Sequence, residues 1–352
     1  VKVVLSTVTS NLRDLPPFDS AHRDGIDDIQ RQHIDEAVRT GGVNDLHEAL
    51  ELDSTYAVAH YALAQALESD STQALAARRE FIAARDHDVV HFRACTVFND
   101  IIRQEAGTHH VPLVDMDADF ARASARGVPG INLFLEHLHP NLHGAILMAR
   151  VFREAMQQAG ILKAAASDSS RTYEEMIHAA CITPLDLELA RQRIDAMTGQ
   201  WPFQRNYAAL NTEFPQQPNP TIAGLATAVL HKQMGLDQAH EQLGSELMKR
   251  NQLEPALEEY RALAKIYPVS PVGHINIADI LLRMHKPAAA IPYYQTGLAL
   301  DPKAVEPRWR LAFALHAVGD NEAALAECKK VLALQPDHDP TKKLMQRIKS
   351  GQ

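Results

Sequence analysis

The stretch Pro287–Pro302, "PAAAIPYYQTGLALDP", decides the fold. Its small Ala290 leaves room for a neighbouring helix, its Tyr294 fills space, and its closing proline stops the helix. That proline recurs, because Pro268, Pro302 and Pro336 stand 34 residues apart. Four further sets keep the same phase: Gly244, Ala278 and Ala312; Leu247, Leu281 and Leu315; Ala256, Ala290 and Ala324; Tyr260, Tyr294 and Cys328. Small residues at two fixed points per unit let two antiparallel helices approach closely, while the Leu and Tyr positions pack against the next unit.

A 34-residue period in this phase resembles the tetratricopeptide repeat. The resemblance implies three stacked helical hairpins over residues 237–340, with a concave surface fit for a peptide or another helix. A weaker copy lies at 57–90, where Ala64, Ala76 and Ala83 take the small positions and "DLHEALELD" precedes as an incomplete unit. Residues 28–90 therefore read as a helical, tetratricopeptide-like insert. Residues 164–236 read as a helical connector that passes through the loop "NTEFPQQPNP". Within it "TPLDLE" has the form of a helix start, with Thr183 as cap and Pro184 in the first turn.

The 352 residues predict two or three domains. Hydrophobic residues make up 46% and charged ones 22%, which excludes a disordered chain. A net charge of −9 and the lack of any basic run argue against nucleic acid as partner. Cys95, Cys181 and Cys328 are far apart and form no CxxC pair, so they read as buried thiols. No apolar run is long enough to span a membrane.

Two short β-branched runs break the helical pattern, "VKVVLST" (1–7) and "VPLVDM" (111–116). Helical sequence lies on both sides of the second, which predicts a parallel α/β layer. Two strands do not make a stable open sheet, so further strands are expected upstream of Val1 or from another chain. The expected fold class is mainly α with an α/β part.

Ten residues carry the candidate chemistry: Leu135–Gly144, "LEHLHPNLHG". His137, His139, His143 and Glu136 are metal-binding residue types, but HxH with a third His four residues on, across a proline, matches no common zinc spacing. No metal and no cofactor are expected. A plainer reading is a histidine-bearing loop in which Pro140 opens a helix. Elsewhere, Arg13 and Asp14 are expected to pair at their loop, "RDHDVVHFR" (85–93) to be a charged link, and Asp115, Asp117 and Asp119 lack the glycine and glutamate of a calcium loop.

"FLEHLHPNLHGAILMA" also resembles the last block of the SGNH (GDSL-type) hydrolases, where an acid and a histidine stand three apart before a helix beginning P-N-x-x-G. "VPLVDMDADFARASARGVPGIN" resembles the last strand and helix of that superfamily. "VKVVLSTVTSNLRDLPPF" resembles a core strand and loop of bacterial proteins that fuse such a domain to tetratricopeptide repeats. The resemblance covers 1–27 and 91–163 as α/β segments of a partial SGNH or flavodoxin-like sheet. It implies His139 as general base, Glu136 as its orienting carboxylate, and Asn11 as an oxyanion donor. Position 136 is Glu where that motif has Asp, and neither G-D-S nor G-x-S-x-G occurs, so the nucleophilic serine is expected upstream of this chain.

Two functions follow. The resemblance implies an ester or acyl hydrolase acting on an acylated substrate, coupled to a repeat module that holds a protein or peptide. The alternative is a non-catalytic tetratricopeptide scaffold with a degenerate hydrolase-like part. The fused type implies a bacterial protein, cytoplasmic or attached to the envelope through a region outside this chain.

Overall fold

The computed structural model describes residues 2–163, 172–203, 214 and 219–350. The chain gathers into two compact units, Val1–Met176 with Arg191–Gln216, and Ile177–Ala190 with Gln217–Gln352.

The first unit begins with β1 (Leu5–Ser6) and continues through four helices, α1 (Asp28–Thr40), α2 (Val43–Leu52), α3 (Ala57–Glu68) and α4 (Ala74–Asp86). Asp27 and Gln30 form a reciprocal cap on α1, and Gly41 closes it at φ 71°, where a glycine carries no steric cost. Ile34, Leu46, Leu63 and Ala77 share a core among these helices. Ala64 is fully buried as expected, but Ala76 and Ala83 are only half-buried. The adjacent Ala77 and Ala84 take the close-packed sites instead, one residue later on the face of α4.

Then come α5 (Thr96–Thr108), β2 (Leu113–Val114), α6 (Met116–Arg122) and α7 (Leu142–Gln158). β1 and β2 pair in parallel, Leu5 with Leu113 and Ser6 with Val114. The two expected strands therefore do meet across more than 100 residues. The expected SGNH or flavodoxin-like sheet does not appear: among the described residues the sheet is this single two-residue ladder. A separate core of Val114, Met116, Phe120, Phe134 and Leu147 packs beneath it. Arg13 and Asp14 do not pair. Arg13 bonds Glu68 at 2.6 Å, while Asp14 accepts from the Ile131 amide at 2.7 Å.

In the second unit α8 (Tyr173–Ala180) and α9 (Pro184–Thr198) contribute residues 177–190. Thr183 and Asp186 cap α9 reciprocally, as "TPLDLE" predicts. The unit continues with α10 (Pro220–Leu230), then paired helices α11 (Leu236–Lys249) and α12 (Leu253–Ile266), α13 (Pro271–Arg283) and α14 (Pro287–Leu300), α15 (Val305–Ala317) and α16 (Asn321–Leu334), and last α17 (Asp339–Ser350). The second helices end at 266, 300 and 334, each two residues before its proline. Ala256, Ala278, Ala290, Ala312 and Ala324 are fully buried, and Tyr260, Tyr294 and Cys328 fill the gaps between pairs. A Cβ on Gly244 would stand 2.8 Å from the Tyr260 ring, which is why that small position is glycine. α17 closes the open end by inserting Leu344 and Ile348 into the same core.

Candidate functional site

The segment 135–140 forms a closed turn. The Leu135 amide donates to the His139 carbonyl at 2.8 Å, and the Asn141 amide to that of Leu133 at 3.0 Å. Asn141 caps α7 through the Gly144 amide. A Cβ on Gly144 would sit 2.2 Å from the Leu133 carbonyl oxygen, so the helix reaches this approach only with glycine there.

Glu136 is the centre of the turn and is wholly buried. Its carboxylate accepts from the backbone amides of His137 at 2.6 Å, Leu138 at 3.3 Å and His139 at 2.8 Å. One oxygen also faces the Nδ1 of His139 and the other the Nδ1 of His137. The imidazole of His139 is thus held through Nδ1, and its side chain is 56% exposed. A carboxylate on one ring nitrogen leaves the other free to exchange a proton with solvent or a ligand. His137 is different. It is buried among Phe18, Phe92 and Phe203, and burial, with the neighbouring His139 and Arg93, pushes it down to about 4. His143 lies exposed on α7.

Asn11, 125 residues away in sequence, stands against this turn. Its Nδ2 donates to the Glu136 carbonyl at 3.0 Å, its amide to the His137 carbonyl at 2.9 Å, and its Oδ1 accepts from the Asp14 amide at 2.9 Å. All three residues named by the hydrolase resemblance come together. Among the described residues no serine hydroxyl hydrogen-bonds His139.

Sequence reasoning missed what holds this arrangement. Asp88 and Arg93, in the segment read as a link, form a buried ion pair at 3.0 Å. Asp88 also accepts the amides of Phe18, Asp19 and Val90, while Arg93 donates to the carbonyls of Asn11 and Leu15 at 3.0 and 3.1 Å. The buried pair ties the loop after β1 to the chain entering α5. Two opposite charges five apart in a charged run carry no signal of burial.

The second unit has a groove of about 400 Å³ on the first helices of its repeats. Met248 of α11, Leu282 of α13, and Trp309 and Phe313 of α15 make its apolar wall. Asp279 lies at its base, where burial pushes the carboxyl up; Tyr294 Oη donates to it at 2.6 Å and Arg310 at 2.5 Å. Arg283 stands at the edge and donates to Asn251 Oδ1 at 3.1 Å. A buried cluster lies in the same unit: His240 Nδ1 bonds Glu259 at 2.6 Å, and its Nε2 is 3.5 Å from Asp186.

Residues 281–348 match the family model of the tetratricopeptide repeat. The first TPR domain of Spaghetti (RPAP3), solved with the HSP90 peptide SRMEEVD, is similar at 22% identity over 33% of this chain and 91% of that one, with a TM-score of 0.32. The second TPR domain of human RPAP3, in complex with the HSP70 peptide SGPTIEEVD, stands at 20%, 32% and 95%, with a TM-score of 0.32. The Arabidopsis OM64 TPR domain stands at 19%, 33% and 96%, with a TM-score of 0.32. No curated protein matches the chain. The family match does not reach residues 1–163.

Proposed function

We propose, with the tetratricopeptide repeats at 281–348 as premise, that this chain is a protein-interaction module whose repeat groove takes a peptide or helical segment of a partner. The observation that carries this is the apolar wall of Met248, Leu282, Trp309 and Phe313, drawn from three successive first helices. An apolar anchor residue inserted there would leave water, while Asp279, already held by Tyr294 and Arg310, needs nothing from the ligand. The test selects peptides from a random displayed library on the intact chain and titrates them into wild type and Phe313→Asp. Loss of an anchor contact predicts binding at least about tenfold weaker in the variant, with unchanged far-UV circular dichroism. Equal affinity for both proteins defeats the groove as the site.

A second reading is favoured by one observation, the convergence of Asn11, Glu136 and His139. In it residues 1–27 and 91–163 are hydrolase-like segments, 28–90 is their helical insert, 164–236 a connector and 237–340 the repeats. His139 would be the general base for hydrolysis of an acylated substrate and Glu136 its orienting group, with a serine nucleophile still to be supplied. The oxyanion role of Asn11 would fall to the second hydrogen of Nδ2, since the first is donated to Glu136. Assay of the full gene product on short acyl esters, with His139→Ala beside it, tests the assignment: equal rates in both remove His139 as base.

A further inference from the structure

In β1 the amides of Leu5 and Thr7 donate to the Pro112 and Val114 carbonyls at 2.9 and 3.1 Å. Successive peptide groups of a strand point to opposite sides, so those of Val4, Ser6 and Val8 point away from β2. Val8 is closed off: its amide donates to Asn99 Oδ1 at 2.9 Å, and its carbonyl accepts from Asn99 Nδ2 at 2.8 Å. Among the described residues no strand pairs with Val4 or Ser6, and both are half-buried. A two-stranded ladder with an open edge is marginal by itself and is a template for another strand.

The surface beside this edge is apolar. Arg103 turns one flank of α5 toward Asp115, just after β2, at 2.9 Å, so the opposite flank, with Phe98 and Ile101, lies on the open side. Val3 and Val8 on the strand continue it, with Phe92 and Leu138 at the rim of a cavity of about 440 Å³ that Ser6 and Val8 also line. These six large side chains are each 38–54% exposed. Together they leave on the order of 500 Å² of apolar surface in water. Since about 60% of an interface is apolar, this answers to roughly 800 Å² per partner, the area of a standard stable interface.

The edge is also self-complementary. An antiparallel strand related by a twofold axis at Leu5 sets Ser6 of each copy opposite Val4 of the other, and each such pair exchanges N–H···O=C bonds in both directions. The same register would next set Lys2 against Val8, where Asn99 already holds the peptide group, so pairing ends there. A contact of this kind closes at two copies and leaves no further edge on β1. We infer that β1 pairs with β1 of a second copy of this chain, making one four-stranded sheet with Phe98 and Ile101 of both copies buried beside it. The inference stands apart from the repeat groove and needs no reaction at His139.

Sedimentation equilibrium of the intact chain, from about 1 to about 100 μM, tests it, and the mass at the upper end should be that of a dimer. Ser6→Pro removes an outward N–H but no bond to β2, a change that edge strands tolerate, and should weaken the dimer about tenfold or more. Phe98→Glu, at an exposed position, sets like charges against each other and should weaken it by as much; it serves if the proline variant does not fold. The amides of Val4 and Ser6 should exchange slowly with solvent in the wild-type dimer and fast in Phe98→Glu. A monomer at every concentration, with those amides slow because of a strand from another source or fast because of none, would overturn the assignment. So would a dimer that both variants leave intact, or equal exchange of the two amides in wild type and Phe98→Glu.

Discussion

The cluster around His240 makes the stability of the first repeat depend on pH. His240 is fully buried between Glu259 on α12 and Asp186 on α9. Burial works against its charge, but the bonds to Asp186 and Glu259 outweigh that and raise it from 6.5 to about 9. Because the folded value lies above the unfolded one, the stabilisation is fully present below pH 6.5. It falls steadily as pH rises, and is gone above about 9. A shift of this size is worth about 3 kcal/mol, since each pKa unit is about 1.4 kcal/mol. Burial also pushes Glu259 up, so its own contribution changes with pH in the same direction, falling as pH rises from its ordinary value of 4.5. Hydrogen exchange read segment by segment, corrected for the intrinsic rate, isolates the effect. Between pH 6.5 and 9.5 the protection of α11 and α12 should drop by about two decades relative to α14 and α16, and Glu259→Gln should flatten the dependence. Parallel loss of protection in all four helices would show that the cluster does not carry the pH response.

Gly244→Ala drives a methyl group into the buried Tyr260 ring and should cost about 1–3 kcal/mol, seen as a lower urea midpoint for the repeat unit. Asp88→Ala leaves the Arg93 guanidinium buried without its counter-charge and should cost about 3–5 kcal/mol, read as lost exchange protection in α3 and α5. Asp88→Asn keeps the amide contacts partly and should cost less than Asp88→Ala.

Residue spacing made much of the architecture legible. The 34-residue period places the ends of α12, α14 and α16, because a proline cannot continue a helix and only Gly or Ala fits where two helices touch. That the runs at 1–7 and 111–116 are strands of a parallel layer was also readable, from their β-branched character and the helical sequence around the second, but their direct pairing was not. A one-residue phase error at Ala76 and Ala83 arose because alanine at neighbouring positions, as in "ALAA", cannot show which methyl faces inward.

Local sequence thus determined the repeats, their caps and the turn around Glu136, where hydrogen bonds close within a few residues. Only the tertiary structure decided that Asn11 backs that turn and that Arg93 and Asp88 are buried partners. It likewise decided that the strands present among the described residues form a single two-stranded ladder. The physical reason is range: a helix repeat is fixed by contacts between near neighbours, whereas a buried charge or an orphan donor is defined by what surrounds it in space.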